Sequence, residues 1–144
     1  MKKLICVMAL VCIGMLLVSC GSKSLGDPKA QLIRDFALNI DKKDCMLEEL
    51  FNNYEEFPYE GIALYKLTVG EDVRQAFLQW ERFPLPEAAE NFLENLSAYV
   101  ELPPIADGYW KMVDRNPGTS AYTNFSLCVY DGATGAAYLL TMDI

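Results

Sequence analysis

The spacing of apolar residues changes once along this chain, near Asp107 and Gly108, and the change limits the folds open to it. Beyond that point apolar side chains recur every second residue, the period of a strand; before it they recur at intervals of three and four, the period of a helix. Residues 109–114 read as a strand and residues 115–120 as a turn with Asn116-Pro117-Gly118 inside it. Residues 121–130 read as a longer strand. On that strand Thr123, Phe125, Leu127 and Val129 share one face, while Tyr122, Asn124, Ser126, Cys128 and Tyr130 share the other. A hairpin loop at 131–135 leads to a returning strand at 136–144, with Ala136, Tyr138, Leu140, Met142 and Ile144 on one side. A chain ending this way must close an antiparallel sheet.

Upstream, Asp27 offers a helix cap and Pro28 suits the first helical position, followed by Leu32, Ile33, Phe36, Ala37 and Ile40 at helical spacing. A turn at Asp41 to Asp44 separates this helix from a second, with Leu47, Leu50, Phe51 and Tyr54 on one side and Glu48, Glu49, Glu55 and Glu56 mainly on the other. Pro58 and Gly61 break helix, and residues 57–67 are read as a short strand. Thr68 and Glu71 have the offset of a capping box, opening a third helix marked by Val73, Ala76, Phe77 and Trp80. Pro86 opens a fourth, with Ala89, Phe92, Leu93, Leu96 and Val100 opposed by Glu87, Glu90 and Glu94. Helices followed by a C-terminal antiparallel meander of about three strands predict a single α+β domain over residues 27–144.

Residues 1–19 have another character. Lys2 and Lys3 are followed by an uncharged, almost wholly apolar run, then by Ser19 and Cys20, the layout of an export signal. A membrane span needs about 20 apolar residues, more than this run supplies. The stretch Leu17-Val18-Ser19-Cys20 resembles the lipobox of bacterial lipoproteins. That resemblance implies cleavage before Cys20, lipidation of its thiol and usually acylation of the new amine. Two or more acyl chains, at about 0.8 kcal/mol per buried methylene, hold a protein durably at a membrane. Residues 20–26 are then the lipidated Cys and a flexible tether rich in Gly and Ser. The expected location is the bacterial cell envelope, with the domain in the periplasm or at the cell surface.

Charge and composition exclude several functions. The chain carries 20 acidic against 12 basic side chains, and two of the latter, Lys2 and Lys3, leave with the signal. Such a surface repels nucleic acid and suits solubility or a basic partner. There is no histidine, which removes Ser-His and Cys-His nucleophiles and histidine metal ligands together. Of five cysteines, Cys6 and Cys12 lie in the signal and Cys20 is lipidated. Cys45 and Cys128 remain, too few for a four-thiolate zinc site. They either pair as a disulfide, contributing on the order of 4 kcal/mol, or stand as two separate buried thiols.

Catalysis finds little support. Glycoside hydrolysis needs two carboxylates about 5 to 10 Å apart across a cleft, and Glu48/Glu49 and Glu55/Glu56 read as a solvated helix face. Asp41 and Asp44 read as caps rather than calcium ligands. The glycines at 132 and 135 lie in a hairpin loop with no helix behind them to cradle a phosphate. No catalytic residue, metal ligand set or cofactor is assigned. Aromatic residues are the better candidates for contact: Trp110, Tyr122 and Tyr130 form the candidate binding face, against a competing role in sheet pairing.

Residues 33–51, IRDFALNIDKKDCMLEELF, resemble the opening helix pair of the cone-shaped α+β domains related to nuclear transport factor two. The resemblance implies a curved antiparallel sheet enclosing a small-ligand pocket, and it transfers no site residues. The leading expectation is therefore a lipid-anchored, non-enzymatic envelope protein that binds a protein partner, with inhibition of a toxin or hydrolase among its forms. A small-ligand pocket comes second and a carboxylate-dependent hydrolase third.

Overall fold

The structure, a computed structural model, describes residues 27–54, 60–99, 101–118 and 123–144. The signal, Cys20, the tether and Tyr122 lie outside the described residues, as do Glu55, Glu56 and Val100. Among the described residues three α-helices and six strands follow in the order α1 (Pro28–Phe36), β1 (Cys45–Asn52), β2 (Gly61–Val69), α2 (Glu71–Phe77), β3 (Glu81–Arg82), α3 (Glu87–Leu96), β4 (Gly108–Asp114), β5 (Phe125–Asp131) and β6 (Ala137–Asp143). The strands form one antiparallel sheet in the order β1-β2-β6-β5-β4-β3.

Both faces of this sheet are covered. On one, Leu32 and Phe36 of α1 and Val73 and Phe77 of α2 pack against Cys45, Tyr65, Leu67, Cys128, Tyr130 and Leu139. On the other, Ala89 and Leu96 of α3 pack against Leu64, Phe125, Leu127, Val129, Leu140 and Met142. Strands β5 and β6 sit between two apolar layers and are buried along almost their whole length. Each fully buried Leu or Phe there contributes about 1.5–3 kcal/mol. The first layer centres on aromatics, with ring centroids 4.5 Å apart for Phe77 and Trp80, 5.4 Å for Phe36 and Trp80, and 5.5 Å for Phe77 and Tyr130. Gly108 allows β4 to approach β5, because a Cβ there would stand 2.1 Å from the Tyr130 carbonyl oxygen.

The α+β class holds, but the strand count does not. Six strands replace about three, and the second predicted helix is strand β1. Its misreading has a local cause. Cys45 and Leu47 point to the α1/α2 side in ordinary alternation, but the register slips between Glu49 and Phe51, and the extra residue turns Phe51 toward the opposite layer. The slip places Leu47, Leu50, Phe51 and Tyr54 at intervals that imitate a helix. The strand read at 57–67 is observed as β2. Thr68 is part of β2 and forms no capping box; Gly70 caps α2 without a side-chain bond. The first helix starts as expected, with Pro28 in its first turn and the Asp27 carboxylate accepting from the Lys29 N–H at 3.0 Å.

Candidate functional site

Strand β1 ends the sheet, with no neighbour beyond it among the described residues. Its side chains are the least covered of the long strands: Met46 is 64% exposed and Leu50 46%, with Glu48 and Glu49 exposed between them. Residues 101–104, which follow α3, lie beside β1 and β2 on the α3 side of the sheet. Between this segment and the strands runs a groove of about 420 Å³, lined by Glu48, Leu50, Lys66, Glu101, Leu102, Pro103, Pro104 and Tyr138. Glu48, Lys66 and Tyr138 form one cross-strand row on its floor. A second groove of about 500 Å³ shares Lys66, Pro103, Pro104 and Tyr138 and runs to the β5–β6 hairpin and Arg74. In that hairpin the Thr134 hydroxyl and the Ala133 N–H donate to Asp131, holding its carboxyl below the usual range. That carboxylate is occupied by its own turn.

A different polar group lies under α1. Arg115, just past β4, donates through Nη1 to the Ser126 hydroxyl and through Nη2 to the Met142 carbonyl at 3.0 Å and to Asp143. The Ser126 hydroxyl donates to Asp35 at 2.8 Å and accepts from Gln31 at 3.4 Å. Asp35 also lies 3.5 Å from Nη1. The Tyr54 hydroxyl donates to Asp143 at 2.9 Å. Burial, reinforced by the Asp143 charge, pushes the Tyr54 hydroxyl pKa up. The Asp35 side chain is only 5% exposed and that of Arg115 20%, so two carboxylates share one largely buried guanidinium. The group ties α1, the β1–β2 connection and the ends of β4, β5 and β6 together. Every donor of Arg115 in this set meets an acceptor of the protein itself, which makes it a clamp rather than a ligand cradle.

The sequence-derived candidates do not converge. Tyr130 is buried between Phe77 and Tyr109, so its face, read from sequence as the more polar one, is the interior beneath α1 and α2. Trp110 points to the opposite layer, and its indole N–H donates to the Arg82 carbonyl at 3.2 Å. Tyr122 lies outside the described residues, and Trp110 and Tyr130 share no surface. Cys45 and Cys128 are free, buried thiols in one apolar layer. They stand on β1 and β5, with β2 and β6 between. Burial raises the pKa of both, keeping them protonated.

Asp41 caps the short 3₁₀ turn Lys42–Asp44 by accepting from the Lys43 N–H, as the sequence suggests. Sequence reasoning missed the Arg115 clamp and the exposed edge of β1. For the edge, Leu50 reads in the sequence as part of a helix and Met46 carries no assignment. Among the described residues no group of three acidic or thiol side chains is placed to hold a metal, and no helix is long and apolar enough to cross a membrane. No protein-family model, curated protein or solved structure matches the chain.

Proposed function

We propose that this chain is a lipid-anchored protein of the bacterial cell envelope, attached through Cys20, whose domain binds a protein partner along β1 and the adjoining groove without catalysing a reaction. The observation that carries the binding reading is the uncovered apolar pair Met46 and Leu50 beside a groove whose lining includes Leu102, Pro103, Pro104 and Tyr138. An apolar pair with a polar rim is the form of a protein contact. Lipid attachment is supported by Leu17-Val18-Ser19-Cys20 after an apolar run. The small-ligand and hydrolase readings have less behind them. Phe36, Phe77, Trp80 and Tyr130 fill the space between helices and sheet, and Asp35 and Asp143 are both paired with Arg115.

The test is photo-cross-linking in native membranes with a photoreactive residue at Leu50 and a control at Glu87 on α3. A stoichiometric product of defined mass from position 50 alone is expected; the same products from both positions, or from neither, would remove the partner reading. Separately, Cys20→Ala is expected to leave the precursor uncleaved and unlabelled by radioactive palmitate. Normal processing and labelling of that variant would overturn the anchor.

A further inference from the structure

The end strand β1 is unusual in what it lacks. Sheets commonly blunt an exposed edge with lysine or proline, which oppose pairing with another chain. The stretch Cys45–Asn52, CMLEELFN, contains neither. Its register with β2 is regular from Cys45 to Glu49, so a run of backbone is held extended before the bulge begins, with no strand paired on its outer side among the described residues. That run carries two acids, Glu48 on the groove side and Glu49 on the other.

The charges around the edge are not balanced locally. Lys42 and Lys43, which precede the strand, are already paired with Asp27 at 2.9 Å and Asp41 at 3.3 Å. Glu49 has a hydrogen bond from the Asn52 amide at 2.9 Å, and among the described residues no cation lies within ion-pair distance of Glu48, Glu49 or Glu101. Lys66, beside Glu48 in register, is the groove's single cation among the residues named on its wall.

These features select an occupant. A second copy pairing β1 against β1 in antiparallel fashion would set Glu48 and Glu49 opposite or diagonal to their own counterparts, and like charges across a strand pair are destabilising. A strand with Lys or Arg at those positions turns the same contacts favourable, so the two acids discourage self-association and admit a basic partner. From this edge, resting on the partner-binding reading above, we infer that β1 takes up an extended, lysine- or arginine-bearing segment of its partner as a seventh strand. Backbone hydrogen bonds supply affinity, Glu48 and Glu49 select the charge, and an apolar residue of the segment enters the groove beside Leu50 and Pro103.

The test uses the full lipidated protein in detergent, with a short capped peptide carrying a Val-Lys-Lys-Val core as the probe. Amide hydrogen exchange at Met46, Leu47, Glu48 and Glu49 should slow on addition of the peptide. A Val-Glu-Glu-Val peptide should bind about tenfold more weakly, and added salt should weaken the lysine peptide. The double variant E48K/E49K, altered only at exposed positions, should reverse the preference. Absence of protection in β1, or equal binding of the two peptides, would overturn the inference. So would protection that rises with protein concentration when no peptide is present, because a second copy would then hold the edge. The cross-link from Leu50 separates this inference from the broader reading: a product unchanged in E48K/E49K overturns the strand-addition inference and leaves partner binding standing, whereas no product from the unaltered protein overturns partner binding itself.

Discussion

The two ends of one sheet are built to different rules. At the β5–β6 centre nearly every side chain is enclosed, and Ser126 there and Asp35 of α1 beside it are bonded to Arg115 and to each other. At the β1 edge Met46, Glu48, Glu49 and Leu50 are exposed and the acids have no cation partner within ion-pair distance among the described residues. Stability is concentrated where the sheet is covered twice, which frees the edge from a structural role. Surfaces that bind are drawn from such low-stability parts of a fold.

Substitutions at the two ends should separate the roles. Phe77→Ala, in the layer between α2 and β5, is expected to cost about 4 kcal/mol in urea unfolding, as a large cavity in a rigid core does; a loss under about 1 kcal/mol would mean that the aromatic layer is loosely packed. Arg115→Ala should cost about 3 kcal/mol by leaving Asp143 without a cation and Asp35 with only the exposed Arg34 at 3.0 Å. Asp35→Asn in the same background should recover part of that loss, whereas no recovery would show that the guanidinium acts through packing alone.

Alkaline pH should act on the layer beneath α1 and α2, which runs under the whole sheet from Cys45 on β1 to Cys128 on β5. Tyr54 and Tyr65 are raised from 10.0, the latter to about 12 through burial and then the Glu49 charge, and Cys45 and Cys128 are raised from 9.0 by burial. The folded state therefore holds protons that the unfolded chain releases, so their contribution is full below pH 9.0 and declines as pH rises through the folded values. Urea midpoints measured from pH 8 upward should fall; a flat profile would mean that these groups are solvated. The smallest effect is expected at the edge, where Leu50→Ala should shift stability by no more than about 0.5 kcal/mol while reducing the cross-linked product. A larger stability loss would make Leu50 a structural residue and erase the contrast.

How much of this was legible in the sequence depended on how local the cause was. The start of α1 was readable because Asp27 and Pro28 act within one turn, and β4, β5 and β6 because alternation survives along each strand. Strand β1 was hidden by its bulge, which gave a strand the spacing of a helix. Strand β3 is two polar residues defined only by pairing Glu81 and Arg82 with Trp110 and Tyr109. The face of Ser126, Cys128 and Tyr130 looked polar because its hydroxyl is satisfied by Asp35, 91 positions earlier in the chain. Pairing at that range leaves no local pattern. Residues 33–51, which read as a helix pair, span the end of α1, the 3₁₀ turn and most of β1.

The position of β6 has a consequence in time. It lies between β2 and β5, so it alone joins the β1–β2 hairpin to the β3–β4–β5 group in the sheet, although its residues come after both. A chain threaded N-terminus first across a membrane, as the proposed export requires, would reach the far side with its two halves waiting for the strand that closes them. Until residues 137–143 emerge, the apolar faces of Leu64 and Leu127 have no Leu140 between them. Under the proposed export, the sheet closes only when β6 arrives.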